Sequence, residues 1–477
     1  MEFKTKPYQH QLEEFENKKE LTHYALFWEQ GTGKTKAILD QVAHLYERGE
    51  INALFILAPN MIHINWIKEE IPTHLAVKDY FSHYFECGKA GTKTHQKACE
   101  FLIKSPGLSI LAMNYDAIIT KKGKEFAKEF LTKKKCFYVL DEATKIKSPG
   151  SKRTKTIVAS GRYAKYKRIM TGTPVTQGAF DVYSPFKFLD ENFWKRNGLA
   201  TFESFKHYFG VFLKKFNRTT NREYNELLGY QRLDELSEII KPVSSRVTKD
   251  EVLDLPPKIY TKRYFEMTDQ QTKLYKDLKD EFISFLDSGR ILEVPLALSR
   301  IMALHQVTCG YLPADENGHF VPIEGGNPRL ETLKDICEDL DKPTIIWCRF
   351  RADIDLICEA LGEKVVRFDG SVSSDKRQEN LAKFKRGEAQ FFISTTEVGG
   401  TGLTLNEAST VIYYSNNYKL ENRLQSEDRC HRVGQNKSVS YIDIVAPGTV
   451  DDHIVKALKN KLDVASSITG DKVREWL

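Results

Sequence analysis

The sequence predicts an α/β protein with two parallel-sheet lobes and helical insertions, and three observations predict it. A glycine loop, Trp28–Thr35 (WEQGTGKT), stands between a short apolar run and a helical pattern near the start of the chain. Short apolar runs alternate with helical stretches in both halves, the pattern of parallel sheets covered by helices on both faces. A long stretch without that alternation separates the halves, and 477 residues exceed what one core holds.

Bulk properties narrow the class. Hydrophobic residues make up 41% of the chain, an ordinary globular value, and no run approaches the length of a membrane-spanning helix. The start, MEFKTKPYQH, has no apolar stretch of the secretory kind. A net charge of +6 permits a polyanionic partner and no membrane partner is expected. None of the 8 cysteines forms a C-x-x-C pair, so neither a disulfide framework nor a zinc site is expected, and reduced thiols in a cytoplasmic compartment fit better.

In chain order, Gln9 comes a short step before the glycine loop. Alone it reads as a surface residue, but beside a nucleotide its amide could both donate to and accept from an adenine edge. Tyr24–Trp28 reads as a strand, and Ala37, Ile38, Val42 and Leu45 as one face of a helix. Between them, Gly31 and Gly33, flanking Thr32, allow backbone N–H groups to approach a phosphate closely. Lys34 then reaches the β- and γ-phosphates of ATP, Thr35 ligates Mg²⁺, and the helix N-terminus adds partial positive charge. The full phosphate-loop pattern is one glycine short, because Trp28 holds its first position.

Ala53–Ala58 is a buried-strand run ending in Pro59-Asn60, and Leu108–Met113 another ending in Asn114-Tyr115. Cys136–Leu140 runs into Asp141-Glu142. An acidic pair at the end of a buried strand is costly unless it meets a cation. With a phosphate loop upstream that cation is Mg²⁺, held by Asp141, while Glu142 orients or deprotonates the attacking water. Lys167–Met170 starts one more strand, leading to Thr171-Gly172-Thr173-Pro174. From 180 to 250 dense aromatics at helical spacing predict the core of a helical insertion rather than a base-stacking platform. Paired prolines at Pro256-Pro257 mark a linker.

The second half repeats the alternation. Strands are expected at Thr344–Cys348, Lys364–Phe368, Gln390–Ser394, Thr410–Tyr414 and Ser438–Val445. Helices are expected between them, including Leu420–His431 and Val450–Leu462. The resulting division is 1–178 (first lobe), 179–250 (helical insertion), 251–267 (linker), 268–327 (second helical insertion), 328–462 (second lobe) and 463–477 (tail). This half has no GK[ST] of its own, but it carries Gln425-x-x-Asp428-Arg429-x-x-Arg432. Two arginines three apart share a helix face or its end. Such a pair is either a solvated face or a pair of arginine fingers for a γ-phosphate.

With these residues in order, the chain resembles the Swi/Snf family of helicase-like, DNA-translocating ATPases in helicase superfamily two. WEQGTGKT is similar to that family's DEMGLGKT, and Leu57–Trp66, Asn114-Tyr115, Asp141–Ser148 and Met170–Gln177 resemble its next motifs. Arg246–Lys258 resembles the stretch before the family's second lobe. Phe368–Ser373 with Arg377, the glycine-rich Glu397–Leu405 and Gln425–Gln435 resemble its later motifs.

The resemblance implies two RecA-like P-loop lobes with ATP between them and movement along double-stranded DNA without strand separation. It implies that Gln9 recognises adenine, and that Gln425, Arg429 and Arg432 complete the γ-phosphate site. Asn60, Asn114, Lys145, Arg349, Arg351 and Gly370 are the expected nucleic-acid contacts. Three positions depart from the family. Thr144 replaces a histidine, Glu397 a basic residue and Thr404 an asparagine. Two other readings stay open: a strand-separating DNA or RNA helicase, and a catalytically silent DNA-binding scaffold with a protein partner. The expected location is cytoplasmic for a bacterial or viral protein, or nuclear for a eukaryotic one.

Overall fold

The computed structural model describes residues 2–217, 222–287, 294–312, 320–400 and 403–471. The expected glycine-rich positions Thr401 and Gly402, positions 288–293 and 313–319 of the expected second insertion, and 472–477 of the expected tail lie outside them. The chain forms two compact units. The first comprises Met1–Val211, Gly229–Asp254 and Val464–Lys472, and the second is mainly Phe212–Leu228 and Leu255–Asp463.

The first unit is built on seven strands. They are β1 (His23–Trp28), β2 (Ala53–Ala58), β3 (Tyr80–Phe85), β4 (Leu108–Asn114), β5 (Cys136–Asp141), β6 (Tyr166–Met170) and, after a two-stranded ribbon of β7 (Gly210–Asn217) and β8 (Arg222–Tyr230), β9 (Ser244–Val247). Their order across the sheet is β3-β4-β2-β5-β6-β1-β9 and every pairing is parallel. Continuous apolar strands arise because both faces are covered. Ala53, Phe55 and Leu57 of β2 enter one core, and Leu54, Ile56 and Ala58 the other. The two-residue period of a strand produces that division.

The second unit has its own sheet. After β10 (Lys258–Tyr264) and a short pair, β11 (Tyr311–Leu312) and β12 (Val321–Pro322), come β13 (Thr344–Cys348), β14 (Val365–Arg367), β15 (Phe391–Thr395), β16 (Thr410–Tyr413) and β17 (Val439–Val445). Their order, β10-β17-β16-β13-β15-β14, is again wholly parallel. Ile346 and Cys348 of β13 face one core, and Ile345 and Trp347 the other. The expected α/β class with two parallel-sheet lobes and helical insertions is the observed one.

Several boundaries differ from the sequence reading. The stretch 179–250 is not wholly helical, since it contains the β7–β8 ribbon and β9, which pairs with β1 and belongs to the first sheet. The expected linker 251–267 contains β10, an edge strand paired along its whole length with β17. The helix Val450–Thr469 runs past the expected end at 462, and Val464, Ala465 and Ile468 pack on the first unit's core. The helix Leu420–Glu427 stops short of Arg429 and Arg432, which lie in the following turn rather than on a helix face. On the insertion's helices Phe186, Trp194, Phe205 and Phe209 are buried in the core, whereas Phe216 and Tyr224 on the β7–β8 ribbon are exposed.

A buried ion network fixes the second unit. Arg423 donates to both oxygens of Asp443 (2.6 and 3.0 Å) and to Glu427 (2.9 Å). Glu427 also accepts from Lys258 (3.0 Å) and from the Tyr260 hydroxyl (2.7 Å), both on β10. Burial would raise the Glu427 carboxyl, but the Lys258 and Arg423 charges outweigh it and hold it at about 2. A depressed carboxylate stabilises the fold above its unfolded value of 4.5, and that contribution disappears as pH falls toward about 2. Glu427→Gln is therefore expected to cost about 3–5 kcal/mol at neutral pH, because it breaks the buried ion pair with Lys258 and one of the two that Arg423 makes. Much of that difference from the parent is expected to vanish in melts below pH 4.5, and a deficit constant with pH would contradict the assignment.

Candidate active site

All seven strands of the first sheet are parallel, so their carboxyl ends share one edge, where open α/β sheets bind ligands. The loop after β1, the Asp141-Glu142 pair after β5 and Thr171-Gly172 after β6 meet there. Gly31 and Gly33 have φ of 89° and 84°, the left-handed region. The conformation favours glycine at Gly33, and a Cβ there would lie 2.0 Å from Gln11 Nε2 and displace that amide. A Cβ on Gly172 would lie 3.3 Å from Gln30 N, which shows how closely the turn after β6 approaches the loop.

Lys34 opens the helix Lys34–Glu47, followed by Thr35. Its Nζ donates to the Trp28 carbonyl (2.9 Å) and the Glu29 carbonyl (3.2 Å). Thr32 is fully buried, and its hydroxyl donates to Glu29 O (2.8 Å). It thus shapes the loop from within. Trp28, in the place of the first glycine, is fully buried and donates from Nε1 to Ser245 Oγ (2.8 Å) on β9.

Asp141 ends β5 and is 8% exposed, with Oδ2 accepting from Trp66 Nε1 (2.9 Å). Burial raises its carboxyl, opposed by the Trp66 hydrogen bond and the Lys34 charge. Glu142 takes a left-handed backbone (φ 54°), a strained conformation for a residue with a Cβ. Its side chain accepts from Thr171 Oγ1 (2.9 Å), which ties the strand ends of β5 and β6 together. Thr144 is buried and its hydroxyl has no hydrogen-bond partner. Lys147, three residues on, makes the link to the turn after β6 by donating to Thr176 Oγ1 (2.6 Å).

Gln9 is exposed at the start of the helix Gln9–Lys18, and its side chain donates to Glu13 (2.9 Å). Gln11, which the sequence reading passed over, is 2% exposed and donates to Gly33 O (3.2 Å), while its Oε1 accepts from Tyr8 N (2.9 Å). The adjacent His10 contacts Thr32 O (2.8 Å) through Nε2. Helical spacing contained the signal, since Gln11 and Phe15 lie four apart on the buried face of Gln9–Lys18. Gln11→Ala is expected to raise the KM for ATP about tenfold or more through loss of a buried hydrogen bond worth about 1–2 kcal/mol. A KM equal to the parent's would contradict its role in holding the loop.

Arg246 and Glu29 form a second missed element. From β9, Arg246 Nη1 donates to Phe27 O (2.6 Å) and Gly172 O (3.2 Å), and Nη2 pairs with Glu29 (3.4 Å) and with Asp471 (2.7 Å). One guanidinium thus joins the backbone before the phosphate loop to the turn after β6.

In the second unit, Arg429 is 1% exposed and donates to Gln425 O (2.9 Å) and Leu403 O (3.0 Å). Gln425 is half-buried, with its amide turned toward Glu421 (3.4 Å). Arg432 is less enclosed, and its Nη1 donates to Thr404 Oγ1 (2.8 Å). Thr404, one of the departures, supplies that acceptor. Glu397, another, is exposed and pairs with Lys419.

The expected nucleic-acid contacts fall into two groups. Asn60 after β2, Asn114 ending β4 and Lys145 after β5 lie at the carboxyl ends of three adjacent strands. Asn60 and Lys145 are exposed. Asn114 Oδ1 is engaged in accepting from Asp116 N (3.1 Å) and Ala117 N (2.7 Å). In the second unit Arg351 lies over Gly370, its Nη2 3.2 Å from where a Cβ there would stand. Arg349 is drawn inward, its Nη1 2.9 Å from His305 Nδ1.

Two family descriptions match the chain. The SNF2-related domain covers residues 16–309, and the helicase conserved C-terminal domain covers 328–434. The TATA-binding protein-associated factor mot1 of Aspergillus fumigatus is 26% identical over 384 residues, 70% of this chain and 20% of that protein. A probable ATP-dependent DNA helicase, CHR12, of Arabidopsis thaliana is 26% identical over 457 residues, 92% of this chain and 39% of its own length. The chain therefore spans from a fifth to about two fifths of these relatives. A Sulfolobus solfataricus SWI2/SNF2 ATPase core, solved in complex with dsDNA, aligns over 98% of this chain and 95% of its own at 23% identity and a TM-score of 0.44.

Proposed function

The chain belongs to the SNF2-related family of helicase-like ATP hydrolases, and from that premise we propose that it moves along double-stranded DNA, hydrolysing ATP to ADP and phosphate. The observation that carries this reading is the meeting of Lys34, at a helix N-terminus behind two left-handed glycines, with the buried carboxylate of Asp141. The residues fit Mg²⁺-ATP. The loop offers backbone donors unobstructed by Cβ atoms, and a buried carboxyl whose pKa burial raises gains from a cation. Thr35 and Asp141 would hold the metal, which neutralises phosphate charge when bound.

This chain's residues perform the remaining steps. Lys34 binds the β- and γ-phosphates and fixes their orientation. Glu142, positioned by Thr171, orients the attacking water and accepts its proton. Gln11 holds the loop and contributes to nucleotide recognition from the buried side. Arg432 stabilises charge on the γ-phosphate, while Arg429 and Gln425 position the turn that carries it.

Asn60, Asn114 and Lys145 on the first unit, and Arg351 and Gly370 on the second, contact the phosphate backbone. Binding is then sequence-independent and weakens with salt. The names of relatives as DNA helicases and chromatin-remodeling ATPases support DNA as the track. The test is the ATP turnover rate with duplex DNA, single-stranded DNA and RNA at matched phosphate concentration. Duplex DNA is expected to stimulate most, and a preference for RNA would move the reading to another track.

One observation favours strand separation as a second reading. The β7–β8 ribbon exposes Phe216 (57%), Tyr224 (48%) and Leu228 (60%), apolar groups of the kind that can wedge between bases. Release of a labelled strand from a forked duplex, lost in Phe216→Ser with Leu228→Ser, would support that reading over translocation without unwinding.

A further inference from the structure

A cluster of metal-ligating side chains lies at the far end of the first sheet from the phosphate loop. His83 is on the edge strand β3, and His95 and Cys99 are on the helix Lys93–Lys104 that packs beside it. Four strands separate β3 from β1, so the cluster has no part in the site above. The spacing has a simple origin. His95 and Cys99 are four apart and project from one face of the helix. β3 turns His83 toward them, and its Nε2 is 3.0 Å from His95 Nδ1.

One ligand atom from each of the three residues lies within 4.8 Å of the others. Ligand atoms around a tetrahedral zinc ion sit about 3.5 Å apart, given bond lengths of about 2.0–2.1 Å to nitrogen and 2.3 Å to sulfur. Closure therefore needs shifts of about 1 Å or less, within the reach of side-chain rotation. A hydrogen bond between the two imidazoles explains only part of this arrangement. His95 is 5% exposed and its Nε2 is buried without a hydrogen-bond partner among the described residues, and Cys99 is a free thiol 8% exposed.

We propose that His83, His95 and Cys99 form a zinc site that pins the edge strand β3 to its neighbouring helix. Two imidazoles and a thiolate are ligands suited to zinc and unsuited to Mg²⁺, which separates this site from the metal at Asp141. Binding displaces the Cys99 proton to solvent and forms the zinc–sulfur bond, with no change of oxidation state. Water takes the fourth position. Cysteine spacing alone predicts no zinc site in this chain, because two of the three ligands are histidines and they come from separate elements.

The test uses the whole 477-residue chain, stripped with a chelator and titrated with Zn²⁺ alone against a chromophoric competitor. The wild type is expected to take up one equivalent and to melt at a higher temperature with zinc than without. Co²⁺ in place of zinc is expected to give the thiolate charge-transfer absorption of a cysteine-bound metal. Losing a second-layer partner of a metal ligand costs about 10- to 100-fold in affinity, so Cys99→Ser and His83→Gln should each lose about 100-fold or more. His83→Gln changes a half-buried position and keeps the proposal testable if Cys99→Ser misfolds. Equal zinc affinity in the wild type and a folded variant, or no saturable zinc uptake by the wild type, would overturn the site.

Discussion

Lys34→Ala should reduce ATP turnover by at least about 10²–10³-fold, the usual cost of removing one preorganised donor from developing charge. The effect is large because the lysine serves two needs at once. In the proposed mechanism it binds the phosphates from the head of the helix Lys34–Glu47, and its charge opposes the burial that raises the Asp141 carboxyl. The fold should survive, since the lost hydrogen bonds to Trp28 O and Glu29 O are worth about 1 kcal/mol each. DNA binding should be retained, because none of the proposed contacts involves this side chain. Hydrolysis at the parent rate with DNA present would remove Lys34 from the mechanism.

The second large effect is expected at Arg432. A guanidinium that stabilises transferring phosphoryl charge contributes about 10³–10⁵ in kcat, so Arg432→Ala should lower kcat on that scale with little change in melting temperature. Arg432→Lys should recover little, because the ammonium cannot reproduce the planar fork. Arg429 offers the contrast. It is 1% exposed and donates to the Leu403 and Gln425 carbonyls, so its removal leaves buried acceptors unsatisfied. Arg429→Ala is expected to lose about 1.5–3 kcal/mol of stability for each charged hydrogen bond, seen as a lower melting temperature. If Arg432→Ala lost stability and kept its kcat, the roles of the two arginines would be reversed.

What the sequence reveals here follows from burial. Strands covered on both faces, such as Ala53–Ala58 and Thr344–Cys348, are apolar throughout and stand out as runs. Three of the four edge strands of the two large sheets do not. Ser244–Val247 is short and half-buried, Lys258–Tyr264 alternates between half-buried and exposed positions, and Tyr80–Phe85 carries Ser82 and His83. Pairing with β1, β17 and β4 makes them strands, and such long-range pairing leaves little trace in local composition.

The phosphate loop and the Asp141-Glu142 pair were legible because their chemistry is local, with glycines, a lysine and carboxylates at fixed places beside strands. The burial of Gln11 against that loop was not, because it depends on which face of a helix meets the loop. That face is set by Phe15 packing inward four residues after Gln11. The Arg246 link between Phe27, Gly172 and Glu29 joins residues far apart in the chain, and only the folded sheet assembles it.

The most direct test of the central claim is displacement of a third strand from a triplex placed downstream on duplex DNA. With ATP the chain should strip the third strand and leave the duplex paired, and Lys34→Ala should leave the triplex in place. ATP consumed on duplex DNA with the triplex undisturbed would contradict movement along the double strand.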